Sequence, residues 1–107
     1  ILKKTICASV VKDGVIVATG LGILDRDYIG LYAIHVREDL RRQGLARQIC
    51  TFLLQEGRRR GAKKAYLQVV EGNDKAQALY RSLGFEPLYS YYFRVQNVRS
   101  AHRPTPN

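Results

Sequence analysis

The sequence predicts one α/β domain, a mixed sheet with helices packed on it, and three observations carry that expectation. Strand-like apolar stretches at residues 5–11, 15–24, 29–36, 65–70 and 88–95 enclose two stretches of helical periodicity, giving the order strand–strand–strand–helix–strand–helix–strand. An Asp13-Gly14 pair between the first two stretches is a hairpin signal. A basic, glycine-centred turn, Arg41-Arg42-Gln43-Gly44-Leu45-Ala46, joins the third strand to the first helix. With 107 residues the chain can bury one core and no more.

The first two strands are rich in Val, Ile and Thr, and Gly20 and Gly22 in the second suggest a bulge or weakened pairing near its end. Residues 25–28 form a turn into the third strand, whose stretch Leu31-Tyr32-Ala33-Ile34-His35-Val36 reads as buried. Leu45, Ile49, Phe52 and Leu53 recur at helical spacing, so a helix is expected over residues 42–60, ended by Gly61. Its length of about 28 Å suits a helix crossing a whole sheet face. After the strand at 65–70, Asn73 or Asp74 caps a second helix with Ala76, Leu79, Tyr80 and Leu83 on one stripe, and Gly84 stops it. Pro87 opens a last strand whose Tyr89, Tyr91 and Phe93 share a side. Residues 1–95 are thus the domain; residues 96–107, without periodicity or acid, are a polar basic tail.

The turn at residues 41–46 has the makings of an anion site. Backbone N–H groups in a helix's first turn lack intrahelical acceptors and point along the positive end of the macrodipole. Gly44 lets a ligand approach the backbone, Ala46 keeps the next turn thin, and Arg41 and Arg42 supply charge-assisted hydrogen bonds. Solvated surface is the alternative for the two arginines.

The pattern Arg-x-x-Gly-x-Ala after a strand resembles the acyl-CoA pyrophosphate loop of the GNAT superfamily of N-acetyltransferases. A second block, Asn73-Asp74-Lys75-Ala76-Gln77-Ala78-Leu79-Tyr80 followed by Leu83-Gly84-Phe85, is similar to that family's Asn-x-x-Ala-x-x-Leu-Tyr-x-x-x-Gly-Phe segment. The resemblance implies the GNAT fold, α/β (α+β) with a mixed, mostly antiparallel sheet, here N-terminally shortened: an extra strand and one or two helices precede the first strand in the family. It implies acetyl-CoA as co-substrate and direct transfer of its acetyl group to an amine of a small molecule or protein.

By the same resemblance, residues 41–46 receive the pyrophosphate, and Ile34, His35 and Val36 offer backbone groups to the pantetheine arm like an added strand. Asn73 matches an asparagine near the cofactor arm, though a plain helix cap explains it equally. Tyr80 matches the residue that protonates the departing thiolate; a phenol with pKa near 10 is protonated at neutral pH. In isolation a tyrosine on an apolar stripe reads as core. A general base is harder to find. The family's glutamate position falls at Gln68, which takes no proton; Glu71, Asp27 and His35 are weaker candidates, and Tyr28 lies beside Asp27 before the other central strand. This leaves a second reading, a CoA-binding or regulatory module without catalysis.

The net charge of +9 calls for anionic company, which the cofactor partly answers; a nucleic-acid-binding domain is the less favoured alternative because the basic residues are dispersed. No apolar run reaches the ~18 residues of a membrane span, and no leader is evident, so the cytoplasm is the expected compartment. Cys7 and Cys50 read as buried thiols rather than a disulfide, and with His35 and His102 they have no metal-ligand spacing. The chain has no methionine and starts at Ile1. Together with the shortened N-terminus, this leads us to expect a fragment, a domain of a longer protein, or a homodimer that covers an exposed sheet edge.

Overall fold

The computed structural model describes residues 4–68, 74–88 and 91–96. Strands β1 (Lys4–Lys12), β2 (Val15–Asp25) and β3 (Tyr28–Val36) form an antiparallel meander. A 3-10 turn, Glu38–Leu40, leads to helix α1 (Leu45–Arg59), followed by β4 (Lys64–Gln68), α2 (Asp74–Ser82), β5 (Glu86–Leu88) and β6 (Tyr91–Val95). The six strands lie in the order β1-β2-β3-β4-β6-β5, and only β3 and β4 run parallel.

The hairpin signal holds: Asp13 and Gly14 both have positive φ, as a two-residue turn matching the strand twist requires. Helix α1 starts three residues later than its periodicity suggests. Arg42 and Gly44 have φ of +71° and +83°, outside any helical register, so the basic turn stays a loop and Gly44 is the N-cap. The far end fits expectation. Arg60 ends the helix, Gly61 takes φ +103°, and its N–H and that of Ala62 bond back to the carbonyls of Arg58 and Gly57.

The last strand is two strands, not one, paired antiparallel as β5 and β6. Pro87 sits in β5, the outermost strand, where a missing N–H leaves no ladder bond open. Tyr91 and Phe93 do share a side; Tyr89 lies outside the described residues, as do Asn73, Glu71, His102 and residues 97–107. Gln96, assigned above to the tail, is instead buried, with its N–H on Lys63 O and its Nε2 donating to Leu54 O.

The core lies between α1 and the sheet. Leu45, Ile49, Cys50, Leu53, Leu54 and Gly57 form the buried stripe of the helix, which lies across β1, β2 and β3. Cys50 is buried as expected, and its thiol is pushed up to about 11 by burial, with Arg47 opposing. Cys7 is exposed, contrary to expectation, because its strand position alternates with the buried Ile6 and Ala8.

The ladder between β2 and β3 shifts at Gly20, which faces both Ala33 and Ile34. Ala33 carries φ +54°, the mark of a bulge. Glycine is required at position 20 by close approach: a Cβ there would lie 2.3 Å from Ile49 Cγ2 and 2.8 Å from Ile34 Cδ1. Gly20→Ala should therefore cost about 1–3 kcal/mol through overpacking, read as a lower urea midpoint at unchanged slope. Wild-type stability in this variant would mean that α1 does not sit on the bulge.

Candidate active site

The end of β3 and the loop into α1 adjoin in the chain. β3 pairs with β4 only through residues 28–31, opposite Lys64 to Leu67. Beyond that point residues 32–36 have no β4 partner among the described residues. The bulge at Ala33 and Ile34 falls in this stretch. Ile34 is half-buried against the core, Val36 is buried, and the His35 side chain is exposed.

The loop follows directly. Arg42 has positive φ, Gln43 does not, and Gly44 does again; such alternation turns successive N–H groups toward a common concavity that suits anions. No side chain caps α1, leaving its first-turn N–H groups for a ligand, and the space about Gly44 is open, with no heavy atom within 4 Å of where a Cβ would stand. Leu45 is buried and anchors the helix start, while Ala46 is half-buried. The two arginines differ. Arg41 Nε donates to Val36 O at 3.1 Å, tying the loop to β3, whereas Arg42 is exposed without an ion pair among the described residues. Arg37 and Asp39 bridge in the intervening turn at 2.7 Å, both well exposed.

Helix α2 holds Tyr80 against the core beside α1 and β6. Gly84 adopts φ +94°, and the N–H groups of Gly84 and Phe85 return to the carbonyls of Arg81 and Tyr80. This helix end places the first residue beyond the glycine over the residue five positions back. Phe85 accordingly packs edge-on to Tyr80 with ring centres 6.3 Å apart, and Tyr92 closes the other side at 5.6 Å. Tyr92 is itself held by its Oη donating to Gln77 Oε1 at 3.0 Å. Arg47 Nη2 donates to Ser82 Oγ at 2.6 Å, linking the first turns of α1 to the end of α2. Tyr80 is half-buried, and burial first, then Cys50 and Tyr92, raises its pKa, so the phenol is fully protonated at neutral pH.

The base candidates fare unevenly. Gln68 is exposed at the end of β4, opposite Tyr91. Asp27 lies at the other end of β3, eight residues and roughly 26 Å of strand from His35. Its carbonyl accepts the N–H groups of Lys63 and Lys64, a structural duty.

Sequence reasoning missed one group. On the sheet face opposite α1, Tyr66 Oη and Tyr32 Oη are hydrogen-bonded at 2.8 Å above Gly30, where a Cβ would lie only 2.6 Å from Tyr66 Cζ. Tyr28 and Tyr91 each meet Tyr66 edge-on, with ring centres 6.1 Å apart. Burial first, then the bond to Tyr32, pushes the Tyr66 phenol up to about 12, so it is a neutral hydrogen-bonding group and not a base. The spacing of four between Tyr28 and Tyr32 was the available sign that both face one side.

Residues 3–85 match the model of the acetyltransferase (GNAT) family. The chain belongs to that family. This GNAT chain is 42% identical over 59 residues to the [Ribosomal protein bS18]-alanine N-acetyltransferase of Escherichia coli (strain K12), a match covering 55% of the chain and 40% of that protein. It is 33% identical over 69 residues to the N-acetyltransferase YobR of Bacillus subtilis (strain 168), covering 64% of the chain and 28% of YobR. The GNAT chain therefore spans well under half the length of these relatives. The crystal structure of the ribosomal-protein-S18-alanine N-acetyltransferase from Escherichia coli superposes with TM-score 0.75 at 25% identity, over 96% of this chain and 75% of that one. The PaiA N-acetyltransferase from Thermoplasma acidophilum, solved in complex with coenzyme A, has the same fold, with TM-score 0.76 at 10% identity over 85% and 60%. Among the described residues no helix is long and apolar enough to cross a membrane, and no group of three or more potential metal ligands occurs.

Proposed function

We propose that this chain carries the acetyl-CoA site and the proton donor of an N-acetyltransferase acting on an amine of a small molecule or protein. The observation that carries the reading is the continuity of β3 residues 32–36, which have no β4 partner among the described residues, with the alternating-φ loop at 42–44 and the uncapped start of α1. The residues fit acetyl-CoA: a strand edge suits an amide-bearing arm, and the loop suits a pyrophosphate.

In this reading the backbone of Ile34, His35 and Val36 holds the arm. The N–H groups of Gln43, Gly44, Leu45 and Ala46, with the Arg42 guanidinium and the remaining donors of Arg41, hold the phosphates. Asn73, outside the described residues, joins this set only through its match to the family segment. Acetyl-CoA supplies the activated acyl group as a thioester. Tyr80 Oη holds the proton required by the departing sulfur, and its raised pKa keeps that proton in place until then. The acceptor amine must lose a proton, and no described carboxylate stands at the end of β4 to take it; the exposed Gln68 favours, as second reading, a CoA-binding module without turnover.

Calorimetry with acetyl-CoA, followed by thiol-release assays on a panel of small amines and of peptides with N-terminal alanine, tests both. Binding with thiol release supports the enzyme, binding without it supports the module, and absence of binding overturns both. Alanine-terminated peptides belong in the panel because the compared Escherichia coli protein is a ribosomal-protein-alanine N-acetyltransferase. In this reading the chain works in the cytoplasm on acetyl-CoA supplied there.

A further inference from the structure

Along the C-terminal half of α1, about 10–20 Å along the helix from the phosphate loop, a cavity of about 140 Å³ opens between α1, the end of α2 and β6. Its polar lining is Thr51, Gln55, Arg58, Arg94 and Gln96, and no carboxylate is among its residues. Arg94 is half-buried and fixed: Nε donates to Leu83 O at 2.7 Å, and Nη1 donates to Gln96 Oε1 at 2.5 Å. Gln96, buried beneath it, is held in turn by Leu54 O at 3.2 Å. A guanidinium has five N–H donors, so three of those on Arg94 stay available.

The nearest acid on α1, Glu56, is taken by Arg59 and Arg60. Among the described residues neither Arg58 nor Arg94 has an ion pair. Two like charges therefore share one cavity, and burial first, then Arg58, lowers the Arg94 pKa. Cations at a helix C-terminus are favoured by its dipole, which accounts for one arginine at each helix end but not for their facing each other.

We propose that this cavity binds a phosphate-type dianion, held between the Arg58 and Arg94 guanidinium groups with Thr51 and Gln55 as flanking donors. The charge balance selects this ligand class: two cations are neutralised by one dianion, whereas a monocarboxylate leaves one charge over. The space equals a few water volumes, which admits a phosphoryl group. The site is separate from the cofactor loop, which lies at the N-terminal end of α1.

Side-chain NMR on the whole chain tests it, following the Arg94 Nε–Hε and Gln96 amide resonances at pH 7.5 during titration with inorganic phosphate, glycerol 3-phosphate and acetate. Phosphate should shift both resonances with a dissociation constant of about 1 mM or tighter, and acetate should not. Arg58→Gln should weaken phosphate binding about 10-fold or more and raise the melting temperature in phosphate-free buffer, since it removes the repulsion. Arg58→Lys should retain most of the binding, and Arg42→Gln, altered only in the cofactor loop, should retain all of it. Glycerol 3-phosphate binding as well as phosphate would mark the ligand as the phosphoryl end of a larger molecule; phosphate binding alone would mark the free ion. Phosphate that moves neither resonance, or that binds Arg58→Gln as it binds wild type, overturns the proposal.

Discussion

Tyr80→Phe is expected to lower kcat about 100-fold while leaving acetyl-CoA affinity and the melting temperature nearly unchanged. The substitution removes one oxygen and keeps the ring that packs between Phe85 and Tyr92. The raised pKa means the donor is charged with its proton across the neutral range, and activity that depends on it should fall only at high pH, as the phenol ionises. Steady-state kinetics with calorimetry on the same samples separates the effects. Full turnover in Tyr80→Phe would make the residue part of the core and nothing more.

Gly44→Glu should weaken acetyl-CoA binding by about 100-fold or more, the combined effect of a like charge at an anion site and a left-handed backbone imposed on a residue with a Cβ. Gly44→Ala separates the two. The space around the glycine is open, so alanine meets no neighbour and bears only the strain of φ +83°. It should cost the fold about 1–2 kcal/mol and affect binding far less than glutamate does. Equal affinity in Gly44→Glu and wild type would overturn the phosphate-loop assignment.

Much of the sheet could be read from the residues because β-branched and apolar runs bounded by Asp13-Gly14 or Gly61 leave few alternatives for the chain. The second motif block was legible for a reason now visible in the fold: Gly84 and Phe85 build the helix end that clamps Tyr80, so three separated letters describe one object. Errors arose where the deciding quantity was not periodicity. The start of α1 depends on two positive φ values, and a helical stripe beginning at Leu45 cannot show that Arg42 is outside it. The division of the last strand depends on which strand is outermost, and exposure of Cys7 depends on which β1 face meets α1. The Tyr32–Tyr66 pair joins residues 34 positions apart across parallel strands, a register that no local pattern encodes.

If acetyl-CoA pairs with β3 at residues 32–36, which have no β4 partner among the described residues, ligand occupancy and folding become a single equilibrium, because a molecule that adds to that ladder binds only the native chain. At a ligand concentration 100-fold above its dissociation constant this linkage adds about 2.7 kcal/mol to stability, a large share of the margin of a domain this small. Metabolic supply of the acyl donor would then govern how much of the protein persists as well as how fast it works: when the donor is scarce, the apo chain is the one that unfolds and is degraded first.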